Sequence, residues 1–141
     1  MKPNFKFKIT SFMITLICLI ICSQAETKPR KLFSTSTITL KVDKIGEQYI
    51  LNESFKPLPN QILIDDREIG EINSKINITD TNSLIKLIWN EENITNLHGM
   101  FSKMLNILYI NFTGFDTSQV TDMSNMLMGC SSLETVDLSN F

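Results

Sequence analysis

Past Ala25 the 141-residue chain keeps one cysteine, Cys130, and over its whole length it has one histidine, His98, and one tryptophan, Trp89. A single thiol excludes an internal disulfide framework in a chain cleaved after Ala25. A single histidine excludes a two-histidine metal site, and any Ser-His-Asp or Cys-His pair would have to be built around His98. Five glycines and four prolines are too few for a collagenous or low-complexity linker protein. No glycine-rich phosphate loop, zinc spacing or calcium loop occurs. The acidic pairs Asp65-Asp66 and Glu91-Glu92 are adjacent residues, which on a strand point opposite ways and make no acid/base dyad. From Glu26 onward 10 basic residues stand against 15 acidic ones, a net of −5, which gives no electrostatic basis for binding nucleic acid or an anionic membrane. No apolar run after Ala25 is long enough to span a bilayer, so the mature part is expected to have no membrane span. These absences point away from an enzyme, and no cofactor or metal is expected.

At the amino end, Lys2, Lys6 and Lys8 form a positive region, Ile9 to Cys22 is mostly apolar, and Ser23-Gln24-Ala25 supplies small residues at the positions a signal peptidase reads. Residues 1–25 are therefore expected to be a signal peptide that takes Cys18 and Cys22 with it. Export to the cell surface or the medium is the consequence. Four Asn-x-Ser/Thr sequons, at Asn52, Asn77, Asn93 and Asn111, suit a secreted glycoprotein.

After a flexible start at 26–35, residues 36–93 read as a small β-rich module. Ile38, Leu40 and Val42 alternate with Thr39 and Lys41, and short apolar runs come next at Ile62-Leu63-Ile64, Ile76 with Ile78, and Leu84 to Trp89. Trp89 is expected to fill the core at the junction between this module and the carboxyl-terminal segment. Beyond Asn90 the period changes. Leu97, Met100, Phe101 and Met104 fall at i, i+3, i+4 and i+7, as do Met123, Met126, Leu127 and Cys130, and each set predicts the apolar face of a short helix. That spacing assigns the methionines to core packing and Cys130 to a buried structural position, and places His98 on a helix surface. Sliding the chain along itself until Ile94 meets Val120 also pairs Met100 with Met126, Ile107 with Leu133, Ile110 with Val136 and Phe112 with Leu138. The segment is an internal repeat, with one copy at 94–119 and an incomplete one at 120–141. Asn96 or Asp122 would cap each helix, and Ile107 to Phe112 or Leu133 to Leu138 would form a strand stacking in parallel on its neighbour.

The stretch Val120-Thr-Asp-Met-Ser-Asn-Met-Leu-Met-Gly-Cys-Ser-Ser-Leu-Glu-Thr-Val-Asp-Leu-Ser-Asn-Phe141 resembles the repeat of the BspA-like leucine-rich repeat surface proteins. The resemblance covers Ile94 to Phe141 and implies a secreted or surface-displayed solenoid used for adhesion or binding, with no catalytic residues to carry over. Met104 stands where that family has a cysteine, and Phe115 and Phe141 stand where many leucine-rich repeats have an asparagine, so an aromatic ladder is expected to hold the turn. The copies stop at Phe141, which suits the front of a longer protein or a truncated gene product.

The expected fold is thus α/β: a short leucine-rich-repeat-like solenoid, helix plus parallel strand per repeat, after a β-rich amino-terminal module. The expected function is non-catalytic binding or adhesion to a protein or glycan ligand at the cell surface. The candidate binding face is Tyr109, Asn111 and Thr113 with Thr135, Asp137 and Ser139. The alternatives are a secreted hydrolase whose catalytic module lies beyond residue 141, and a non-functional truncated copy. Self-association through the open carboxyl-terminal edge is a further expectation. Amino-terminal sequencing of exported material is expected to return Glu26 as the first residue; a retained Met1 contradicts the signal peptide.

Overall fold

The structure is a computed structural model that describes residues 35–90 and 94–141. The expected signal peptide, most of the expected flexible start, the Glu91-Glu92 pair and the sequon residue Asn93 lie outside the described residues. The alternating pattern at the start of the module forms β1 (Ser36–Val42), whose inward residues Ile38, Leu40 and Val42 are buried while Thr37, Thr39 and Lys41 face outward. The other strands are β2 (Gly46–Tyr49), β3 (Gln61–Ile64), β4 (Arg67–Glu68), β5 (Lys75–Ile78), β6 (Ile85–Trp89), β7 (Ile107–Gly114) and β8 (Thr135–Asp137). Six of them make one sheet in the order β4-β3-β6-β1-β7-β8, and β2 pairs with β5 in a separate two-stranded sheet. Every pairing is antiparallel except β7 with β8, which is parallel.

One face of the large sheet is buried. Ile38, Leu40, Ile62, Ile85, Leu87, Trp89, Ile110 and Phe112 all point to it, and they join Leu97, Met100, Phe101 and Met104 in a single hydrophobic core. Phe112 sits at its centre, edge-to-face with Phe101, Phe115 and Phe141 at centroid separations of 6.0, 6.0 and 5.4 Å. Trp89 is fully buried, meets Phe115 at 5.8 Å and donates its indole N–H to the Pro57 carbonyl at 3.0 Å, so its polar edge is satisfied.

The expected α/β solenoid of helix-plus-strand units is not what forms. The described residues contain no helix, and the strand of the first copy, β7, lies between β1 and β8 in a mixed β-sheet. Both stretches read as helices are columns of successive tight turns. The reason is in the backbone: Gly99 and Lys103 have φ of 63° and 62°, and their equivalents in the second copy, Asn125 and Gly129, have 57° and 76°. A left-handed residue at every fourth position interrupts right-handed helix twice per copy. The amide partners change accordingly. Met100, Ser102 and Met104 donate to the carbonyls three residues back, whereas Leu97, Gly99, Phe101 and Lys103 donate across to Asp122, Ser124, Met126 and Met128 of the second copy at 2.7 to 3.1 Å. The apolar spacing marked the inward side chains of the first copy, since Leu97, Met100, Phe101 and Met104 are all buried, but in the second copy only Met126 is buried, Leu127 and Cys130 are half-buried and Met123 is exposed, and the spacing did not carry the backbone conformation.

Two further details differ from the sequence-based expectation. Cys130 is half-buried, with its Sγ donating to the Phe101 carbonyl. The turn after β7 is held by Asn140, whose amide reaches the Thr113 carbonyl at 2.5 Å, while Phe141 packs on Phe112 and does not ladder with Phe115. The β-rich module is joined to the first copy through shared hydrogen bonds: Asn52 gives its backbone N–H to Met100 O at 2.9 Å and its side-chain N–H to Ser102 O at 3.0 Å, and Asn106 Nδ2 returns to Tyr49 O at 2.9 Å. Asn52→Ala removes the side-chain bond to Ser102 and the acceptor of the Ser54 amide, and at about 1 kcal/mol per bond should lower unfolding free energy by about 1–3 kcal/mol in a urea titration. Asn52→Asp, which keeps the acceptor and loses the donor, should cost at least as much; two neutral substitutions would show that Asn52 does not hold the column.

Candidate functional site

The outward face of the six-stranded sheet arises from the same alternation that buries its other face. On β7, Tyr109, Asn111 and Thr113 alternate with buried Ile110 and Phe112. The parallel register sets Tyr109 beside Thr135 and Asn111 beside Asp137, so four of the six candidate residues stand side by side. Thr113 lies exposed near the end of β7. Ser139 lies past the end of β8 and gives its backbone N–H to Asp137 Oδ1 at 2.9 Å.

The face is wider than two strands. On the other edge of β7, Asn111 pairs with Thr39 and Tyr109 with Lys41, Thr39 pairs in turn with Lys86, and Lys86 with Leu63. A row Leu63-Lys86-Thr39-Asn111-Asp137 therefore crosses five strands. Thr37, Thr39, Lys41, Lys86 and Ile88 were missing from the candidate set. Alternation in β1 marked Thr39 and Lys41 as outward, but only the β1 to β7 pairing, far apart in sequence, puts them next to Asn111 and Tyr109.

Local hydrogen bonds fix the polar groups. Asn111 Nδ2 donates to the Tyr109 hydroxyl at 2.9 Å and its Oδ1 accepts the Thr113 N–H at 2.6 Å. Asp116, Asp122 and Asp137 each accept the amide two residues on, at 2.9 Å. Hydrogen bonds from the Ser118, Ser124 and Ser139 side chains and backbone hold all three carboxyls below the usual carboxylate range, with His98 a smaller contributor at Asp122. Lys86 is paired with Asp66 at 2.5 Å on this face.

The one histidine does gather a serine and an acid. His98 Nδ1 lies 2.8 Å from Ser124 Oγ and 3.9 Å from Asp122 Oδ2, and Ser124 Oγ donates to Asp122 Oδ1 at 2.6 Å. The order is wrong for nucleophilic catalysis. The serine proton goes to the carboxylate, the same ring nitrogen faces both partners, and the cluster is exposed, so it ties the first copy to the second and does not activate a hydroxyl. Among the described residues no three His, Cys, Asp or Glu side chains gather into a metal-holding group. No helix among them is long and apolar enough to cross a membrane.

A family model described as Mycoplasma protein of unknown function, DUF285, matches residues 71–141. The chain belongs to this family. No curated protein and no solved structure matches the chain. The DUF285 match begins at Glu71, ahead of the first 26-residue copy, so it takes in β5 and β6 as well as the two turn columns. Three sequon asparagines of this DUF285 chain lie among the described residues. Asn77 is exposed on β5, whereas the amides of Asn52 and Asn111 are engaged with Ser102 and Tyr109.

The depressed carboxyls set a pH dependence. A group whose folded pKa is lowered contributes stability above its unfolded value and loses it as pH falls through the folded one. Asp116, Asp122 and Asp137 should therefore leave the protein at full stability at neutral pH and weaken the turns they hold, one in the first copy and two in the second, as pH drops below about 4, the ordinary carboxylate value. Asp122→Asn keeps the turn acceptor without a titrating group and should flatten that loss in acid denaturation curves; an unchanged slope would show that Asp122 does not contribute to it.

Proposed function

We propose that this DUF285 chain is an exported, surface-displayed binding protein without catalytic activity, and that the outward sheet face around Tyr109 and Asn111 takes a protein or glycan ligand. The observation that carries this is the continuous polar row from Lys86 through Thr39 and Asn111 to Asp137, with the ring of Tyr109 beside it. An aromatic ring flanked by fixed amide, hydroxyl and carboxylate groups offers a flat apolar contact plus directional hydrogen bonds, the mixture on which polar ligands are held. The repeat likeness of Ile94 to Phe141 to the BspA-like surface proteins, and the basic-apolar-small pattern of residues 1–25, support display outside the cell. The His98 cluster, with its serine proton committed to Asp122, supports the non-catalytic side.

Binding of the labelled protein to host-cell surfaces, before and after glycosidase or protease treatment of the cells, tests the proposal and sorts the ligand class. Tyr109→Ala should weaken binding by about tenfold or more, the loss of a central aromatic contact worth about 1.4–2 kcal/mol. Equal binding by Tyr109→Ala and Asn111→Asp proteins of unchanged thermal stability would remove this face from the function.

A further inference from the structure

Between segment 52–55 and the turn column of the first copy the surface closes into a cavity of about 290 Å³, at the lower end of the sizes that hold small ligands. Among the described residues the buried polar side chains are Ser36, Ser74, Ser83 and Ser102. The first three hydroxyls are engaged, Ser36 by the Asp116 amide, Ser74 by Asn73 Oδ1 and Ser83 by Asp65 Oδ2. The Ser102 hydroxyl has no partner among the described residues, although the side chain is only 7% exposed. It is not sealed in. Asp43 Oδ1 is the one enclosed side-chain atom without a partner among the described residues, so Ser102 Oγ reaches open space, and the space beside it is this cavity and the cleft that continues it past Glu53 and Lys103. The residue is also fixed in place: its N–H donates to Gly99 O at 2.9 Å and its carbonyl accepts from Asn52 Nδ2 at 3.0 Å.

Asn52, Ser54, His98 and Asn125 line the same cavity. Ser124 Oγ gives its one proton to Asp122 at 2.6 Å, so the 2.8 Å contact with His98 Nδ1 takes its proton from the ring, and Nε2 of the neutral imidazole is left as an acceptor. Asn52 uses one amide hydrogen on Ser102 O and has a second. No lining residue is Lys, Arg, Asp or Glu, and in the adjoining cleft Glu53 and Lys103 offset each other. Phe55, 5% exposed, adds an apolar wall without the open ring face on which a base would stack.

We infer that this cavity binds one uncharged sugar ring, at a site separate from the sheet face around Tyr109. A ring bearing several hydroxyls donates and accepts at each of them, which matches the mixture of hydroxyl, amide and imidazole groups here. It brings no charge, and the cavity has none to pair with one. Its C–H groups suit the small apolar wall.

The probes are glucose, galactose, mannose, N-acetylglucosamine and N-acetylgalactosamine, titrated into the isotope-labelled protein. The expected result is a saturable shift of the Ser54, Gly99 and Ser102 amides with at least one of them, at a dissociation constant of about 1 mM, and no shift at Tyr109 or Asn111. Ser102→Ala should weaken that binding about fivefold to tenfold and leave the melting temperature unchanged or raised, because the hydroxyl has no protein partner to lose. A purely structural serine would give the reverse. Ser54→Phe, at an exposed position on the cavity wall, should abolish the response. Tyr109→Ala should leave it intact, so failure of the sheet-face reading and failure of this one are read separately. No saturable response to any of the probes at about 20 mM overturns the inference. Equal affinity of the Ser102→Ala and Ser54→Phe proteins also overturns it, as does a stronger response to glucuronate, to protonated glucosamine or to adenosine.

Discussion

The structure depends on one alternating hydrogen-bond scheme. Along Leu97 to Met104, every second amide closes a turn on its own copy and the amides between reach across to the next, so each copy is completed only by its neighbour. A helix would have satisfied all of these groups internally and left the copies to touch by side chains alone. The turn column exchanges that self-sufficiency for a ladder perpendicular to the chain, in line with the β7 to β8 ladder on the same 26-residue offset. Backbone and core therefore extend together: the carbonyls that take up the first amide row belong to the same segment that closes over Leu97, Phe101 and Phe112.

A ladder of this kind needs an end, and the amino-terminal module supplies one. Its β1 covers the free edge of β7, Asn52 covers the free carbonyls of the turn column, and Trp89 fills the space beneath Phe115. The same arrangement makes the outer surface. Because β1 joins the strand of the first copy directly, the polar row from Lys86 to Asp137 is one sheet face. The capping of the ladder and the breadth of the candidate binding face are two consequences of one strand pairing.

Much of this was legible in the residues. Period-two alternation located β1 and β7 and their inward sides, the apolar run Leu84 to Trp89 marked β6, and the 26-residue offset named the pair Ile110 with Val136 that stands side by side in the sheet. The helical spacing misled on conformation because Leu97, Met100, Phe101 and Met104 face inward in either backbone, and spacing reports burial alone. The contrary signal was present but divided: each copy has one glycine in its column, Gly99 in the first and Gly129 in the second, at the two different left-handed positions, with Lys103 and Asn125 filling the others. When the two copies are superposed those glycines do not align, so neither position stood out. The pairing of β1 with β7 and the reach of Asn52 to Ser102 are long-range contacts with no local mark. Of the six candidate face residues, Tyr109, Asn111, Thr113, Thr135 and Asp137 lie on β7 and β8 and Ser139 lies past the end of β8, while the neighbours that widen the face were not assigned.

Amide hydrogen exchange on the protein alone tests the alternating scheme most directly. The account predicts protected amides at Leu97, Gly99, Phe101 and Lys103, fast exchange at Met123, Asn125, Leu127 and Gly129, and protection in both copies at the intervening Met100, Ser102, Met126 and Met128. Uniform protection along each whole segment, the signature of two helices satisfied within themselves, would contradict it.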